Sequence, residues 1–181
     1  VRNATVTAIA PTGTISILAG TTASIEPLFA LAYRRTHVLG EQTMLEVTPL
    51  LREYAELRGF APDFPSQGAG VGAESLLSRL PRSARQLFAT ALTIPAERHL
   101  EIQAAFQRHT DNSVSKTVNL PHDASAADVA LIYQCAWERE LNGVTIYRYG
   151  SRSAQVLELA VAEEPYQYDH ATACDPTECR V

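Results

Sequence analysis

Two short stretches of the chain contain residue types whose spacing could do chemistry. Near the start, Pro11-Thr12-Gly13-Thr14-Ile15-Ser16 places three hydroxyl side chains around one glycine. At the end, Cys174-Asp175-Pro176-Thr177-Glu178-Cys179-Arg180-Val181 holds two of the three cysteines. Glycine lets the backbone approach an anion closely, hydroxyls add donors, and a helix start adds free N–H groups and a positive dipole end. The stretch is not a Walker loop, because the required Gly-Lys-Ser/Thr is absent. A strand-ending turn with an N-capping threonine is the commoner local explanation, so these residues alone leave both readings open. In the cysteine pair, Asp175-Pro176-Thr177-Glu178 reads as a type I turn with proline at its second position, which would bring the two sulfurs together. Such a pair on a loose terminus can be oxidised and re-reduced elsewhere, and incidental cysteines in an unstructured end fit the composition equally well.

Other chemistries are excluded or find little support. The five histidines, His37, His99, His109, His122 and His170, show no helical ligand spacing, and Cys174 and Cys179 supply only half a zinc set. No nucleophile elbow occurs, and Asp111-Asn112-Ser113 reads as a turn before a strand. The net charge of −5 offers nucleic acid no basic field, and only Lys116 among the fifteen basic residues is lysine. No apolar run approaches the roughly 20 residues of a membrane helix. Three cysteines do not make a secreted disulfide scaffold. With no signal peptide, a cytoplasmic location is expected. The start at Val1, without an initiator methionine, points to a fragment or a chain cut from a longer one.

The elements that must position these residues can be read from pattern. Residues 4–10 alternate and predict a strand, Pro11–Thr14 breaks it, and Ile15–Gly20 suits a short buried helix. Residues 21–47, which include Ile25-Glu26-Pro27-Leu28-Phe29, show no clean period and are expected as loops over a core. Thr48 is a candidate N-cap, with Pro49 in the first turn and Gly59 ending a helix over Leu50–Arg58. Residues 60–72 read as a surface loop, and shorter helices are expected near 73–79 and 83–91. Pro95 opens a stronger helix through Arg108, with Leu100 and the Ala104–Phe106 segment facing inward. Asn112–Leu120 predicts a strand that Pro121 ends. Ser125 then caps a helix through Leu141, with Asp128 at the capping-box position and an inward stripe of Val129, Ile132, Tyr133, Ala136 and Trp137. Cys135 beside that stripe reads as a packed structural residue. Val144–Tyr149 is the last strand; after Gln155–Leu159 the chain turns polar. Alternating strands and helices argue for α/β architecture. Three strands make a poor sheet of their own, so the chain is expected to be part of a larger barrel or sheet.

Three stretches taken together carry a resemblance to a family. Arg2-Asn3-Ala4-Thr5-Val6-Thr7-Ala8-Ile9-Ala10 running into Pro11-Thr12-Gly13-Thr14-Ile15-Ser16 strongly resembles ribonucleotide reductases of the adenosylcobalamin-dependent (class II) type. Asp111-Asn112-Ser113-Val114-Ser115-Lys116-Thr117-Val118-Asn119-Leu120-Pro121 and Gly143-Val144-Thr145-Ile146-Tyr147-Arg148-Tyr149-Gly150-Ser151-Arg152 are similar to the same family in the same order. The resemblance covers about residues 2–159, and the terminal Cys-x4-Cys is similar to the mobile thiol pair of reductase C-termini.

The resemblance implies the C-terminal part of a ten-stranded α/β barrel over residues 1–159, followed by a flexible redox-active tail over 160–181. It implies a role in converting ribonucleotides to deoxyribonucleotides as part of a larger enzyme. Thr12, Gly13, Thr14, Ile15 and Ser16 match the loop that holds the substrate phosphates. Cys174 and Cys179 match the pair that exchanges with the active-site disulfide and is re-reduced by thioredoxin or glutaredoxin. The fourteen residues from Ala160 to Ala173 would span on the order of 20 Å as a flexible chain, a plausible reach from a barrel rim to its interior. Thiol exchange needs a thiolate; Asp175, Glu178 and the terminal carboxylate disfavour one, while Arg180 favours it.

The family's radical cysteine matches nothing in this chain, since Cys135 sits in a helix pattern. An N-terminal reductase segment or chain would therefore supply it, and adenosylcobalamin would be bound mainly by that remainder. A homodimer of the full enzyme is left open. Iron-dependent relatives relay a radical through two adjacent tyrosines where this chain has Tyr147-Arg148, and the broken pair fits cobalamin chemistry, with Tyr147 structural. The other class of function is a non-catalytic interaction or regulatory fragment that docks on a reductase.

Overall fold

The computed structural model describes residues 2–38, 42–59, 81–151 and 157–159. These divide into two compact units, one built from residues 2–27 and 94–151 and the other from the described residues between 28 and 93 together with 157–159.

The first unit centres on a strand–helix–strand motif. Strand β3 (Thr117–Leu120) pairs in parallel with β4 (Thr145–Arg148), in register from Thr117 opposite Thr145 to Leu120 opposite Arg148. Parallel neighbours need a long crossover, here helix α5 (Ala126–Glu138). Its start is fixed by a full capping box: the Ser125 hydroxyl accepts from the Asp128 N–H, and Asp128 accepts from the Ser125 N–H at 2.7 Å. Helix α4 (Ala96–Gln107), opened by Pro95, packs on the same core. That core gathers Ala96 and Leu100 from α4, Val118 and Leu120 from β3, and Ile132, Cys135 and Ala136 from α5. Full burial of a Leu or Ile side chain is worth roughly 1.5–3 kcal/mol.

Ile9 lies beside Val114 as an isolated parallel bridge, with the Ser115 N–H on the Ile9 carbonyl and the Asn112 N–H on the Thr7 carbonyl. The short helix α1 (Gly13–Ala19) follows and ends at Gly20, whose φ of 65° closes it.

In the second unit, β1 (Ala32–Val38) pairs antiparallel with β2 (Gln42–Val47) and with β5 (Leu157–Leu159), giving the order β2-β1-β5. Helix α2 (Pro49–Leu57) starts after Thr48, which holds the N-cap position without a side-chain bond. Helix α3 covers Arg82–Leu87. Leu31, Leu51, Ala84 and Phe88 form the core, with Tyr54 edge-on to Phe88 at 5.5 Å between ring centroids. Leu28 bridges Thr90 in parallel, and the Ala91 N–H donates to the Leu28 carbonyl.

Several expectations are corrected. Residues 4–10 form one bridge rather than a strand, because Asp111 takes the Val6 and Thr7 N–H groups that a ladder would use. The strand expected from Asn112 begins only at Thr117, whose N–H goes to Glu26. Residues 21–47 contain β1 and β2 as well as loop. Helix α1 is not buried by the described residues: Ile15, Ile17 and Leu18 are 63%, 61% and 83% exposed, and only Ser16 is inside. On α5 the inward face runs through Asp128, Ile132, Cys135 and Ala136, so Tyr133 and Trp137 turn outward, and Phe106 does the same on α4. The loop and helix expected over 60–79 lie outside the described residues.

Candidate functional site

The loop Thr12–Ser16 occupies the end of the extended arm and the first turn of α1. The first bond of that helix runs from the Ser16 N–H to the Thr12 carbonyl at 3.0 Å. The amides of Gly13, Thr14 and Ile15 precede it and have no carbonyl within the helix to bond. All three residues are exposed, and a Cβ built on Gly13 would meet nothing within 4 Å. Thr12 has a φ of 49°, a left-handed conformation that a β-branched residue rarely adopts. Such strain is held only by surrounding structure. Here the Thr12 hydroxyl accepts from the Ser24 N–H at 2.7 Å, which leaves its own proton free to donate outward. Ser16 is spent differently: its hydroxyl donates to the Gly13 carbonyl at 2.7 Å and is buried. The donors that exposed residues bring here are therefore three amides and the hydroxyls of Thr12 and Thr14.

The arm leading to this loop is tied down by Asp111. One oxygen of its carboxylate accepts from the Val6 N–H, the Thr7 N–H and the Thr7 hydroxyl, and the Thr7 hydroxyl in turn accepts from the Asp111 N–H. The Val6 amide first, then the Thr7 hydroxyl and amide, hold the Asp111 carboxyl below the ordinary value of 3.8. Asn112 adds a bond from its side-chain amide to the Thr5 hydroxyl. The Asp-Asn turn is thus a clamp on the arm. On α4, Gln103 donates to the carbonyls of Val114 and Gly143, and Gln107 donates to those of Thr110 and Asn112.

Pattern reading missed a second polar cluster in the same unit. The Lys116 side chain is fully buried and its Nζ lies 2.6 Å from Glu26 Oε2, 2.8 Å from His99 Nδ1 and 3.0 Å from the Thr117 carbonyl. The other Glu26 oxygen accepts the Thr117 N–H. Burial pushes the Lys116 pKa down, and Glu26 partly offsets it by stabilising the charge. An ammonium has no lone pair, so with Lys116 charged His99 accepts at Nδ1 and carries its proton on Nε2. A signal was available: Val114, Lys116, Val118 and Leu120 share one parity, which puts a lysine on the inward face.

Tyr147 stands opposite Asn119 on β4 and is half-buried. Arg148 next to it donates to the carbonyls of His122 and Ala124, bracing the β3–α5 connection. Gly150 follows at a φ of 73°, and a Cβ there would lie 2.6 Å from the His122 ring, so two constraints require glycine. Cys135 is buried in the core. Cys174 and Cys179 lie outside the described residues. Among the described residues no group of three His, Cys, Asp or Glu is placed to hold a metal, and no helix is long and apolar enough to cross a membrane.

Residues 1–147 match the family described as "Ribonucleotide reductase, barrel domain". The chain is 49% identical over 160 residues to the vitamin B12-dependent ribonucleoside-diphosphate reductase of Mycobacterium tuberculosis, covering 88% of this chain and 22% of that protein. It is 44% identical over 163 residues to the protein of the same name from Thermoplasma acidophilum, covering 90% of this chain and 21% of that one. The fold is similar to that of the class Id ribonucleotide reductase alpha subunit of Actinobacillus ureae, with a TM-score of 0.61 at 21% identity, over 82% of this chain and 27% of that one. The chain thus spans about a fifth of the length of these curated relatives. With its mixed strands and helices forming part of the barrel domain, the chain belongs to the ribonucleotide reductase family.

Proposed function

We propose that this chain is the C-terminal segment of a reductase that converts ribonucleotides to deoxyribonucleotides. Its contribution is to bind the substrate phosphates and to return electrons to the active site. Thr12, Gly13, Thr14, Ile15 and Ser16 form the phosphate loop. The observation that carries this reading is the left-handed Thr12 at the head of three exposed residues whose amides have no helical partner. Amides at a helix start suit a phosphate group. Thr12 and Thr14 add hydroxyl donors, and Ser16 pins the turn from inside. The relatives named as ribonucleoside-diphosphate reductases favour a diphosphate substrate.

Cys174 and Cys179 form the reductant shuttle. A thiolate of the pair attacks the active-site disulfide, the mixed disulfide resolves, and two electrons and two protons pass inward as Cys174 and Cys179 become a disulfide. Thioredoxin or glutaredoxin then reduces that disulfide. The radical-bearing cysteine is supplied by the remainder of the enzyme, in the same polypeptide or a partner chain. Adenosylcobalamin, in keeping with the vitamin B12-dependent relatives, would supply radical chemistry when bound by the remainder of the enzyme. We assign none of the described residues to holding it.

The test is an assay of deoxyribonucleotide formation by the complete reductase. Replacing both Cys174 and Cys179 by serine should abolish multiple turnovers with thioredoxin while leaving a single turnover from the pre-reduced enzyme. Full multi-turnover activity in that variant would remove the shuttle assignment. Thr14→Ala should raise KM by about tenfold, the cost of one charge-assisted hydrogen bond.

A further inference from the structure

We infer that the Glu26–Lys116–His99 cluster is a positioning device for the phosphate loop, an inference that rests on the phosphate reading of Thr12–Ser16. Glu26 uses its two oxygens on different partners, one on the Lys116 ammonium and one on the Thr117 N–H at the start of β3. Lys116 is in turn held by His99 on α4 and by the Thr117 carbonyl. Together these bonds fix where Glu26 stands against β3 and α4. The Glu26 N–H closes a turn onto the Ala23 carbonyl at 2.9 Å, so that fixed point sets the position of Ser24 inside the turn. The Ser24 N–H then holds the Thr12 hydroxyl. Ser24 and Thr12 have φ values of 48° and 49°, conformations that non-glycine residues keep only where neighbouring bonds over-determine them.

The charge pattern argues the same way. The only lysine of the chain is fully buried. A buried ion pair is a weak source of stability compared with apolar residues of similar volume. What it supplies is directional placement, here of a turn whose next contact is the entry residue of the loop. The cluster touches no substrate in this scheme; it acts through Ser24 and Thr12.

The experiment compares binding of cytidine 5′-diphosphate and of cytidine to the complete reductase carrying Glu26→Gln. The amide has one acceptor oxygen for two donors, so its NH2 must face either the Lys116 ammonium or the Thr117 N–H, donor against donor, which releases the turn. The expected result is about tenfold weaker binding of the diphosphate, unchanged binding of cytidine, and kcat within about twofold at saturation. A merely structural role would weaken both ligands alike or neither, and either outcome overturns the inference. Should Glu26→Gln fail to fold, Glu26→Asp keeps the charge and withdraws the oxygens by one methylene, and the same phosphate-selective loss is required of it. Thr14→Ala separates the two levels. If it leaves diphosphate binding intact, the phosphate reading fails and takes the inference with it. If it weakens binding while the Glu26 variants do not, the positioning role fails alone.

Discussion

Two parts of the first unit are built on opposite plans. The β3–α5–β4 motif with α4 buries a contiguous set of apolar side chains, including Leu100, Val118, Leu120 and Ile132 at 2% exposure or less. The arm from residue 2 through α1 buries Ser16 alone and leaves Val6 at 75% and Leu18 at 83% exposure. It is held instead by hydrogen bonds: the Val6 and Thr7 N–H groups donate to Asp111, the Asn112 side chain donates to Thr5, and the Ser24 N–H donates to Thr12. The motif that carries the unit's stability holds none of the proposed phosphate contacts. The loop that holds them has little packing to set its shape, so discrete polar bonds must set it.

The division can be broken or sharpened by substitution. Ile132→Ala should cost 2–5 kcal/mol in urea denaturation of the chain, the range for truncating a buried aliphatic side chain. Ser125→Ala, which removes half of the capping box, should cost about 1 kcal/mol in the same measurement. Leu18→Ala, at the exposed end of the arm, should fall within about 0.5 kcal/mol of the parent. A Leu18→Ala cost equal to that of Ile132→Ala would erase the distinction.

The smallest effect concerns pH. Asp111 has a folded pKa below its unfolded one, so its contribution is present above the ordinary carboxylate value of 3.8 and is lost as pH falls through the folded value. The Val6 and Thr7 amide resonances should therefore report one titration below 3.8, absent in Asp111→Asn, while the amides of β3 stay unmoved.

Legibility in the sequence follows the same division. The α5 cap was readable because Ser125 and Asp128 are local partners three positions apart, and α2 was readable from Thr48, Pro49 and Gly59. The inward stripe of α5 was placed too far round, because Tyr133 and Trp137 are apolar by type but lie outside the core. Strands β1 and β2 went unread because Arg34, Arg35 and Glu46 interrupt their β-rich runs, and antiparallel pairing across a connection leaves no local period. The Thr12–Ser16 loop was visible as a glycine turn, and its proposed phosphate role comes from the family resemblance. Its support was not visible, because Glu26 and Lys116 lie ninety positions apart and only the fold brings them together. The parity that places Lys116 beside Val118 and Leu120 was the one clue to it.

The bonds between the arm and Asp111 join residues 104 or 105 positions apart, and that has a consequence for how the chain is made. Synthesis runs from the N-terminus at about 5–20 residues per second, so Thr7 waits roughly 5–20 s before Asp111 exists. Through that interval Val6, Ile15, Ile17 and Leu18 have no clamp to align the segment that carries them. The arm precedes its clamp, so the Thr12–Ser16 loop cannot take its native shape until residues 111–117 have been made, while α5 and β4 are still to come.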